Sequence, residues 1–437
     1  MADRHDLTHY PRAYVHLSTT VGRVEQVETG ITPNKVSVTR RGHSQAGTAE
    51  LDIHGSALPF DPRLIEGVFV QVYIASPDRV DSAVNRPEHL RFVGFVDEME
   101  GTRDEKTVVT LKARDMSAIL RDFKDPVLLA GAVPRYSDTL EVAIRRILAA
   151  VPGTRAPNGT TRLALRDSEM GQRSLVSAAP PRLQDAKVQL ERNMTAWSVI
   201  EHICGLLSVF VSIDLDEVVL REPTDVYGHS RPARVEYVFG GEDANLLSVA
   251  TRKKFVRNRK GVKIVIHAPR EPTGRIEAVY PSDAELLADR RPSTSSRSGS
   301  TTPPERDVFP GVGIHTEAAA RHYAERIYRE RSRQEIEGTL KTPVWDGDTL
   351  DLRNGDRITL RITADLSNEL RNTRSRQAAI DLLRNRLGVS ESAASALLDA
   401  SDRPTDTYYV RDTTTEFEAE SMCSTTIELI NLIELPE

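Results

Sequence analysis

An alternation of apolar and polar residues with a period of two runs through the first quarter of the chain. Side chains alternate between the two faces of a strand, so this period predicts half-buried β-strands. The clearest runs are residues 36–38, 49–53, 69–74 and 108–111. Turn-forming residues stand between the runs: Thr32-Pro33-Asn34, Gly42, Asp61-Pro62, Pro77-Asp78 and Gly101. Short strands separated by turns at this spacing predict an antiparallel barrel or sandwich over residues 1–125.

The middle of the chain changes to a helical period. A short helix is expected from Asp115 to Phe123, and Ser137 is a candidate N-cap for a second helix. Thr195 opens a third helix, which leads into apolar residues 209–220 broken by a turn at residues 214–217. These features predict an α/β helix–hairpin domain over residues 126–232, with residues 152–190 as a long loop.

A second β-rich region follows, over residues 233–364 and 405–437. Its predicted strands are residues 246–250, 262–266, 336–340, 358–362, 407–410, 414–420 and 425–435. Thr316 is expected to cap a helix over residues 316–335, and residues 281–312 are expected to form a mobile loop because residues 290–304 are rich in Ser, Thr, Arg, Gly and Pro. A pair of helices starting at Ser375 and Ser390 predicts a helical insertion over residues 365–404.

Composition and length set the number and kind of cores. A chain of 437 residues is too long for one hydrophobic core, and 39% hydrophobic with 28% charged residues is typical of a soluble globular protein. Aromatic residues make up only 5%, so the cores should be aliphatic. The predicted fold class is α+β, predominantly antiparallel β, with two β-barrel domains separated by an α/β domain and a helical insertion in the second barrel.

Net charge and hydropathy limit the classes of partner that the sequence favours. The formal net charge of −6 argues against a nucleic-acid-binding protein, which would carry a basic balance. One basic run, residues 252–263, is interpreted as a solvated strand edge or turn, with a phosphate-binding patch as the alternative. No run of about 18 apolar residues predicts a membrane span, and the N-terminus lacks the apolar region of a secretory signal.

The common catalytic motifs are missing from the sequence. There is no phosphate-binding GxxxxGK[ST] stretch and no HExxH metal motif. Residues 42–47, GHSQAG, resemble a nucleophile elbow, but the second glycine comes one residue too late and a turn is the better interpretation. The carboxylate pairs Asp97/Glu98 and Asp214/Asp216 are interpreted as solvated strand ends, with glycosidase acids as the alternative. We therefore expect no enzyme, and no catalytic, cofactor-binding or metal-binding residues.

Single residues with reactive or aromatic side chains fit a structural role. Cys204 and Cys423 lie among apolar residues, so buried free thiols are expected and a disulfide is the alternative. His202 lies on a predicted helix and is interpreted as a core or boundary histidine with its hydrogen bonds satisfied. Trp197 and Trp345 are interpreted as core anchors.

Three segments together resemble the tail-hub family of phages, which includes late-control-protein-D-like proteins, the central baseplate hub of contractile tails and the N-terminal part of type VI secretion spike proteins. Residues 92–99 with 107–115 resemble the hairpin that closes the first barrel of that family. Residues 195–200 through 220–223 resemble its helix and hairpin. Residues 347–350, 355–358, 408–411 and 425–429 resemble the end of its second barrel. The order of these segments, more than any one of them, carries the resemblance.

The resemblance implies a structural baseplate hub subunit in a phage tail or contractile injection system. Such a hub is a homotrimer, in which two barrels per subunit form a ring of six that adapts a hexameric tail tube to a trimeric spike. The implied partners are tail tube, spike and baseplate wedge proteins, with DNA or cargo passing through the lumen without specific binding and no membrane insertion. It implies a place in the tail baseplate of a virion, or in an injection particle, after synthesis and assembly in the bacterial cytoplasm.

Two features of the sequence depart from the family pattern. The helical insertion stands where a simple hairpin is expected, and no spike domain follows the last strand, so the spike is expected to be a separate chain. The alternatives are a tail-tip or distal tail protein of a non-contractile phage, a tail-associated hydrolase, and a free-standing carbohydrate- or peptide-binding β protein. An aromatic content of 5% leaves little to line the groove that the last alternative needs.

Overall fold

A computed structural model describes the chain in segments, and all structural statements below refer to these. The segments are residues 11–21, 24–41, 46–58, 67–76, 87–101, 108–156, 159–179, 181–190, 193–222, 233–239, 245–253, 261–267, 275–283, 306–311, 314–331, 334–344, 347–362, 375–387, 390–392, 406–419 and 423–432.

Strands dominate the described residues. They are β1 (Arg12–Val21), β2 (Val24–Ile31), β3 (Lys35–Arg40), β4 (Thr48–His54), β5 (Val68–Ala75), β6 (Leu90–Gly101), β7 (Val108–Asp115), β8 (Ala164–Leu165), β9 (Phe210–Asp214), β10 (Glu217–Arg221), β11 (Val235–Phe239), β12 (Ser248–Lys253), β13 (Gly261–His267), β14 (Arg275–Tyr280), β15 (Arg306–Pro310), β16 (Gln334–Pro343), β17 (Arg357–Ile362), β18 (Asp406–Glu418) and β19 (Ser424–Leu432).

Helices are fewer and mostly short. They are α1 (Ser117–Asp122), α2 (Pro126–Ala132), α3 (Leu140–Ala150), α4 (Ala196–Gly205), α5 (Glu317–Arg331), α6 (Gly347–Leu350) and α7 (Arg376–Leu387). The structure therefore confirms an α+β chain with mostly antiparallel strands.

The first lobe consists of β1 to β7. Its strands follow the order β3-β4-β7-β6-β5-β1-β2, and every neighbouring pair is antiparallel. The alternation seen in the sequence places one face of each strand inward, as in β4, where Leu51 and Ile53 are fully buried. The core is aliphatic, as the low aromatic content predicts.

The second lobe consists of β11, β12 and β16 to β19. Its order is β12-β16-β19-β18-β17-β11, with β11 and β17 parallel and the other pairs antiparallel. A separate core lies here, with Leu340, Ile427 and Leu429 among its buried members. Strand β18 is continuous where the sequence predicts two strands, 407–410 and 414–420. The register shifts between Val410 and Asp412, and that irregularity interrupts the alternation.

Strand β18 joins the two lobes. Its residues 406–409 pair with β17, whereas its residues 413–418 pair antiparallel with β3 of the first lobe. Phe417 at the end of β18 and Cys423 after it belong to the core of the first lobe. The prediction separates the two β regions by an α/β domain, but the separation holds only along the chain, because the described strands of the two lobes form one sheet of 13.

The middle unit is built on α2 to α4 and the hairpin β9–β10. Thr195 caps α4 as predicted, since its Oγ1 accepts a hydrogen bond from Ser198 N at 3.0 Å. Ser137 does not cap α3. The cap is Thr139, whose Oγ1 accepts from Val142 N at 3.4 Å.

The prediction of a long loop at residues 152–190 is wrong, because this segment contains regular structure and buried side chains. Strand β8 pairs parallel with β10, and three short 3₁₀ helices follow, Glu169–Gln172, Leu175–Ala178 and Pro181–Leu183. Leu163, Leu165 and Leu175 are buried in the core of the middle unit. Their spacing fits neither a helix nor a strand, so the sequence pattern conceals a packed segment.

Strands β13 to β15 and helix α5 also pack in the core of the middle unit. The sequence groups them with the second barrel, yet Ile264, Ile266 and Ala320 join the same cluster of buried side chains as α4. Thr316 caps α5 as predicted, accepting from Ala319 N at 3.2 Å. Within the predicted mobile loop 281–312, residues 306–310 form β15 and pair with β13, while residues 284–305 lie outside the described segments.

The predicted helical insertion is described in part. Helix α7 matches the first helix, and Ser375 caps it by accepting from Ala378 N at 3.2 Å. Most of the second predicted helix lies outside the described residues, because only residues 390–392 of it are described.

Candidate functional site: an arginine-rich junction

A cavity of about 80 Å³ lies where the first lobe, the middle unit and the second lobe meet. The first lobe contributes the ends of β3 and β7 and the start of β6. The middle unit contributes α4 and the turn of the β9–β10 hairpin, and the second lobe contributes the turn at Arg353 and Asn354. Six arginines line the cavity against two carboxylates, Asp115 and Asp214: Arg40, Arg41, Arg91, Arg121, Arg221 and Arg353.

Arg40, at the end of β3, ties the lobes together through main-chain oxygens. Its Nε and Nη2 donate to the carbonyl of Arg91 at 3.2 and 3.0 Å, and its Nη1 donates to the carbonyl of Leu350 at 3.4 Å. Burial lowers the pKa of Arg40, with the charge of Asp214 opposing that shift. None of the hydrogen bonds described for Arg40 ends on a carboxylate, so its charge is not neutralised by direct pairing.

Asp214, at the end of β9, links the middle unit to the second lobe. Its carboxylate lies 3.2 Å from Arg166 Nη2 and 2.6 Å from Arg353 Nη1, and its side chain is only 9% exposed. The interpretation of Asp214 as a solvated strand end is therefore wrong. The turn was predicted correctly, but the second lobe covers it.

Asp351 and Asp356 hold two further arginines of the same junction. Asp351 Oδ1 lies 3.0 Å from Arg91 Nη1, and the Arg91 side chain is 5% exposed. Asp356 Oδ2 lies 3.0 Å from Arg234 Nη1. These pairs bring β6 and β11 to the turn before β17, so the polar network spans residues more than 250 positions apart.

Asp115 closes the first-lobe wall of the cavity. Its carboxylate accepts from Gly47 N at 2.6 Å and from Ser117 N at 2.9 Å. Burial is the largest influence and raises its pKa, while these hydrogen bonds act in the opposite direction. A Cβ on Gly47 would lie 2.7 Å from the Asp115 oxygen and 2.9 Å from the Thr39 carbonyl, so the approach requires glycine.

Two buried nitrogen donors on the cavity wall have no hydrogen-bond acceptor among the described residues. They are Trp197 Nε1 and Arg353 Nε. Trp197 is 2% exposed, and the Arg121 guanidinium stacks 4.8 Å from its ring centroid. Buried N–H groups are almost always paired, with ordered water or ions where protein groups are absent.

The other candidate residues from the sequence do not converge. Asp97 pairs with Arg114 and Glu98 with Lys112 on the exposed face of β6 and β7, as solvated residues of a strand pair. Residues 42–45 and Trp345 lie outside the described residues, as do residues 254–260 of the basic run. Lys263 of that run pairs with Glu277 Oε2 at 2.6 Å.

Both cysteines are buried free thiols, as predicted, and the disulfide alternative is wrong. Burial raises the pKa of each to about 12, which leaves them unreactive. His202 is buried, as predicted, but it is not satisfied, because its Nε2 has no hydrogen-bond partner among the described residues. Burial and the charge of Arg326 lower its pKa to about 4. Trp197 is a core anchor, as predicted.

The arginine junction itself was not predicted. Its members come from β3, β6, α1, β10 and the turn before β17, and no local motif connects them. The segment Arg353-Asn354-Gly355-Asp356 has the residues of a β-turn, but these residues do not show what packs on the turn. Among the described residues, no cluster of His, Cys, Asp and Glu could hold a metal ion, and no helix is long and apolar enough to cross a bilayer.

Comparison with known proteins depends on the structure alone, since neither a protein-family model nor a curated protein sequence matches the chain. A tail protein from Neisseria meningitidis MC58 superposes with a TM-score of 0.56 at 11% identity, covering 97% of both chains. The 43 kDa tail protein of prophage MuSo2 from Shewanella oneidensis superposes with a TM-score of 0.53 at 15% identity, covering 96% of this chain and 98% of that one.

This chain has a phage tail protein fold. The likeness extends over nearly the whole length of both neighbours, so it includes both lobes and the middle unit. The resemblance to tail-hub proteins predicted from the order of three sequence segments is confirmed at the level of the fold. At 11–15% identity the likeness establishes the fold and leaves function to be argued from the molecule.

Proposed function

We propose that the chain is a structural, non-enzymatic subunit of a phage tail or a contractile injection system, located in the baseplate of the assembled particle. The observation that carries this proposal is the tail-protein fold over 97% of the chain and of its neighbour. The acids of the junction support it, because Asp214, Asp351 and Asp356 are committed to arginines and hold three regions together. A carboxylate held in this way is poorly suited to proton transfer.

Within that role, the chain acts as a central hub. The first lobe and the second lobe serve as two tube-like barrels, and three subunits give a ring of six that adapts a hexameric tail tube to a trimeric spike. The strand order supports this, since β2, β11 and β12 are ends of the large sheet and each pairs on one side only among the described strands. Open strand edges favour pairing with a neighbouring chain, and a head-to-tail contact that closes gives a ring.

The domain division follows from the same account. Residues 1–125 form the first barrel, and residues 233–364 with 405–437 form the second, apart from β13 to β15 and α5, which pack on the middle unit. The ring binds tail tube, spike and wedge proteins, and its lumen passes DNA or cargo without specific binding. The net charge of −6 is compatible with passage of a polyanion through the lumen.

The oligomeric state tests the hub. Purified full-length protein is expected to give three times the 48.6 kDa chain mass by native mass spectrometry, and negative-stain images should show a ring with a central hole. A strict monomer at the concentrations used for assembly, with hydrolytic activity on cell-wall or tail substrates, would overturn the proposal in favour of a tail-associated hydrolase.

The helical insertion at residues 365–404 is placed on the outside of the ring, where it binds baseplate wedge proteins. Helix α7 supports that placement, because Gln377, Asp381 and Arg384 are exposed. Deleting residues 375–402 should leave the trimer intact and abolish wedge recruitment in a pull-down. A deletion variant that no longer forms trimers contradicts the placement.

A further inference from the structure

The two lobes repeat one strand topology. In chain order, and leaving out β2, the first lobe consists of β1, β3, β4, β5, β6 and β7, and the second of β11, β12, β16, β17, β18 and β19. Their orders in the sheet are β3-β4-β7-β6-β5-β1 and β12-β16-β19-β18-β17-β11, which are the same permutation. One direction differs, since β11 runs parallel to β17 whereas β1 runs antiparallel to β5. Each of these strands therefore has a counterpart in the other lobe.

The repeat extends to the register of the pairs. Strands β6 and β7 shift register at residues 96–98, and strands β18 and β19 shift register at residues 410–412. The same irregularity therefore stands at the same place in both lobes. Counting onward from the two shifts makes Glu100 on β6 the counterpart of Thr414 on β18.

The edge strands β3 and β12 also correspond residue by residue. Counting across each lobe from the shift makes Arg252 on β12 the counterpart of Thr39 on β3. The opposed residues on the way are Thr48, Arg114 and Phe95 in the first lobe and Glu337, Ile430 and Tyr409 in the second. A contact made by β3 can therefore be transferred to β12 with its register.

Within one chain, the lobes meet where β18 extends beyond β17. Residues 406–409 of β18 pair with β17, and residues 413–418 pair antiparallel with β3, while β19 occupies the opposite edge of β18. Thr414 stands opposite Thr39 in this pairing, and their Oγ1 atoms form a hydrogen bond of 3.0 Å. We call this pairing the lobe seam.

The counterparts of both sides of the lobe seam are open edges. Strand β6 extends beyond β5, because its pairing with β5 ends at Val96, and residues 98–101 pair only with β7 among the described strands. Strand β12 pairs only with β16 among the same strands. Six strands separate β12 from β6 in the sheet of one chain. Open edges of this kind favour pairing with another chain.

We propose that the ring closes through a second seam of the same kind, in which residues 99–101 of β6 pair antiparallel with residues 251–253 of β12 in a second copy of the chain. This chain seam rests on the proposed ring and names the strands that close it. Three lobe seams then alternate with three chain seams, so the six lobes follow one another head to tail. The edges of β2 and β11 take no part in closing the ring.

The charges at the transferred register support the chain seam. The register of the lobe seam places Glu100 opposite Arg252 of the next chain. The side chains of Glu98 and Glu100 are 62% and 65% exposed, and both pair with Lys112, so two carboxylates face one lysine at this edge. Opposite charges across a strand pair stabilise the pair, and they also select which edges meet.

Disulfide trapping tests the register of the chain seam. Glu100→Cys combined with Arg252→Cys places two thiols on opposed residues of neighbouring chains, at a Cα separation of about 4.5–5.5 Å that a disulfide spans. Native Cys204 and Cys423 are buried and do not compete. Under mild oxidation we expect a covalent trimer, three times the 48.6 kDa chain mass, in a non-reducing denaturing gel.

Glu100→Cys combined with Ser248→Cys is the matched control. Ser248 is exposed on the same strand as Arg252 but lies four residues away, about 13 Å along β12, so this pair should give monomers in the gel. Equal cross-linking of the two pairs overturns the chain seam. So does a trimer that the pair at residues 100 and 252 leaves uncrosslinked, or a disulfide formed within one chain.

Charge reversal gives a second readout, the dissociation constant of the trimer measured by sedimentation. Glu100→Lys places like charges opposite each other at three chain seams and should weaken the trimer about tenfold or more. Glu50→Lys is the control, because Glu50 is exposed and stands opposite the same Lys112, but on β4, which pairs on both sides. It should change the constant less than about twofold. Equal weakening by both changes, or none by Glu100→Lys, contradicts the chain seam.

The outcomes distinguish the chain seam from the hub. A parent protein that forms the trimeric ring while the trapping and the charge reversal both fail overturns the chain seam and leaves the hub standing. A parent protein that stays monomeric overturns the hub and the chain seam together.

Discussion

The two lobes bury similar aliphatic cores but are assembled from the chain in opposite ways. In the first lobe, all seven strands lie within residues 12–115, and all pairs are antiparallel. In the second lobe, β12 pairs with β16 and β11 pairs parallel with β17, so partners come from segments about a hundred residues apart. The first lobe is therefore a local structure, whereas the second depends on distant segments meeting correctly.

The two lobes nevertheless share one strand and a set of polar contacts. Strand β18 belongs to the second lobe, yet six of its residues pair with β3, and its Phe417 packs in the first core. The arginine junction adds a hydrogen bond, in which Arg40 at the end of β3 donates to the carbonyl oxygen of Leu350. The second lobe is therefore joined to the first through the pairing of β18 with β3. We expect the two lobes to unfold together.

Matched core truncations give the largest test of this sharing. Leu51→Ala in the first lobe and Leu429→Ala in the second remove fully buried side chains, and each should lower the free energy of unfolding by about 2–5 kcal/mol. Urea denaturation followed by circular dichroism should retain one transition in both variants. Leu247→Ala, at a side chain that is 50% exposed, is the control and should change little. Two separated transitions would contradict a shared sheet.

A glycine pair in one strand tests how tightly the first lobe is packed at the junction. In β6, a Cβ on Gly94 would lie 2.1 Å from the carbonyl oxygen of Arg114, whereas nothing lies within 4 Å of one on Gly101. Gly94→Ala should therefore cost about 3 kcal/mol, because the β7 backbone has to move, and Gly101→Ala should cost far less. Thermal melting of both variants gives the comparison, and equal losses would show that β6 and β7 are not held this closely.

The middle unit contains a buried histidine whose pKa makes the stability depend on pH. The pKa of His202 is lowered to about 4 from 6.5, since burial and Arg326 disfavour the charged form, and Tyr323 packs on the ring. The folded state therefore resists protonation. His202 contributes full stability above pH 6.5, and about 3 kcal/mol of it is lost as the pH falls from 6.5 to 4.

The readout for His202 is the slope of unfolding free energy against pH, measured by urea denaturation. His202→Gln should flatten the slope between pH 6.5 and 4 relative to the parent protein. An unchanged slope in His202→Gln would place the histidine in a solvated environment.

The smallest effect should come from the tie between the middle unit and the second lobe. Asp214→Asn weakens the contacts to Arg166 and Arg353, and it should cost about 2 kcal/mol because both arginines are only partly buried. Asp216→Asn, in the same turn, is the control. Burial raises the pKa of Asp216, so a neutral side chain is tolerated better there. Equal losses of unfolding free energy in the two variants, measured by urea denaturation, would show that the contacts of Asp214 do not stabilise the junction.

Much of the fold could be predicted because its signals are local. Alternation identified β4 and β5, and hydroxyl caps identified the starts of α4 and α5 at Thr195 and Thr316. Residues 163–175 were misjudged because the two-residue strand β8 and the 3₁₀ helices after it bury Leu163, Leu165 and Leu175 at irregular spacing. The grouping of β13 to β15 failed for another reason. An alternating strand shows that one face is buried but not which sheet covers it.

The candidate site could not be predicted from local sequence patterns. An arginine in a strand reads as solvated whether or not another part of the chain folds over it, so Arg40 and Arg91 gave no signal. Asp214 was assigned to the correct turn, but its burial depends on Arg353, which lies 139 positions later in the sequence. Longer-range information, rather than better local patterns, is what the junction requires.

Native-state hydrogen exchange along β18 tests the shared sheet most directly. Residues 406–409, which pair with β17, and residues 413–418, which pair with β3, lie on one continuous strand. The account predicts that amides in both halves exchange with the same opening free energy, close to that of global unfolding, and that Leu51→Ala lowers both equally. Rapid exchange at residues 413–418 beside a protected 406–409 would contradict it, since the lobes would then be separate units joined only by the chain.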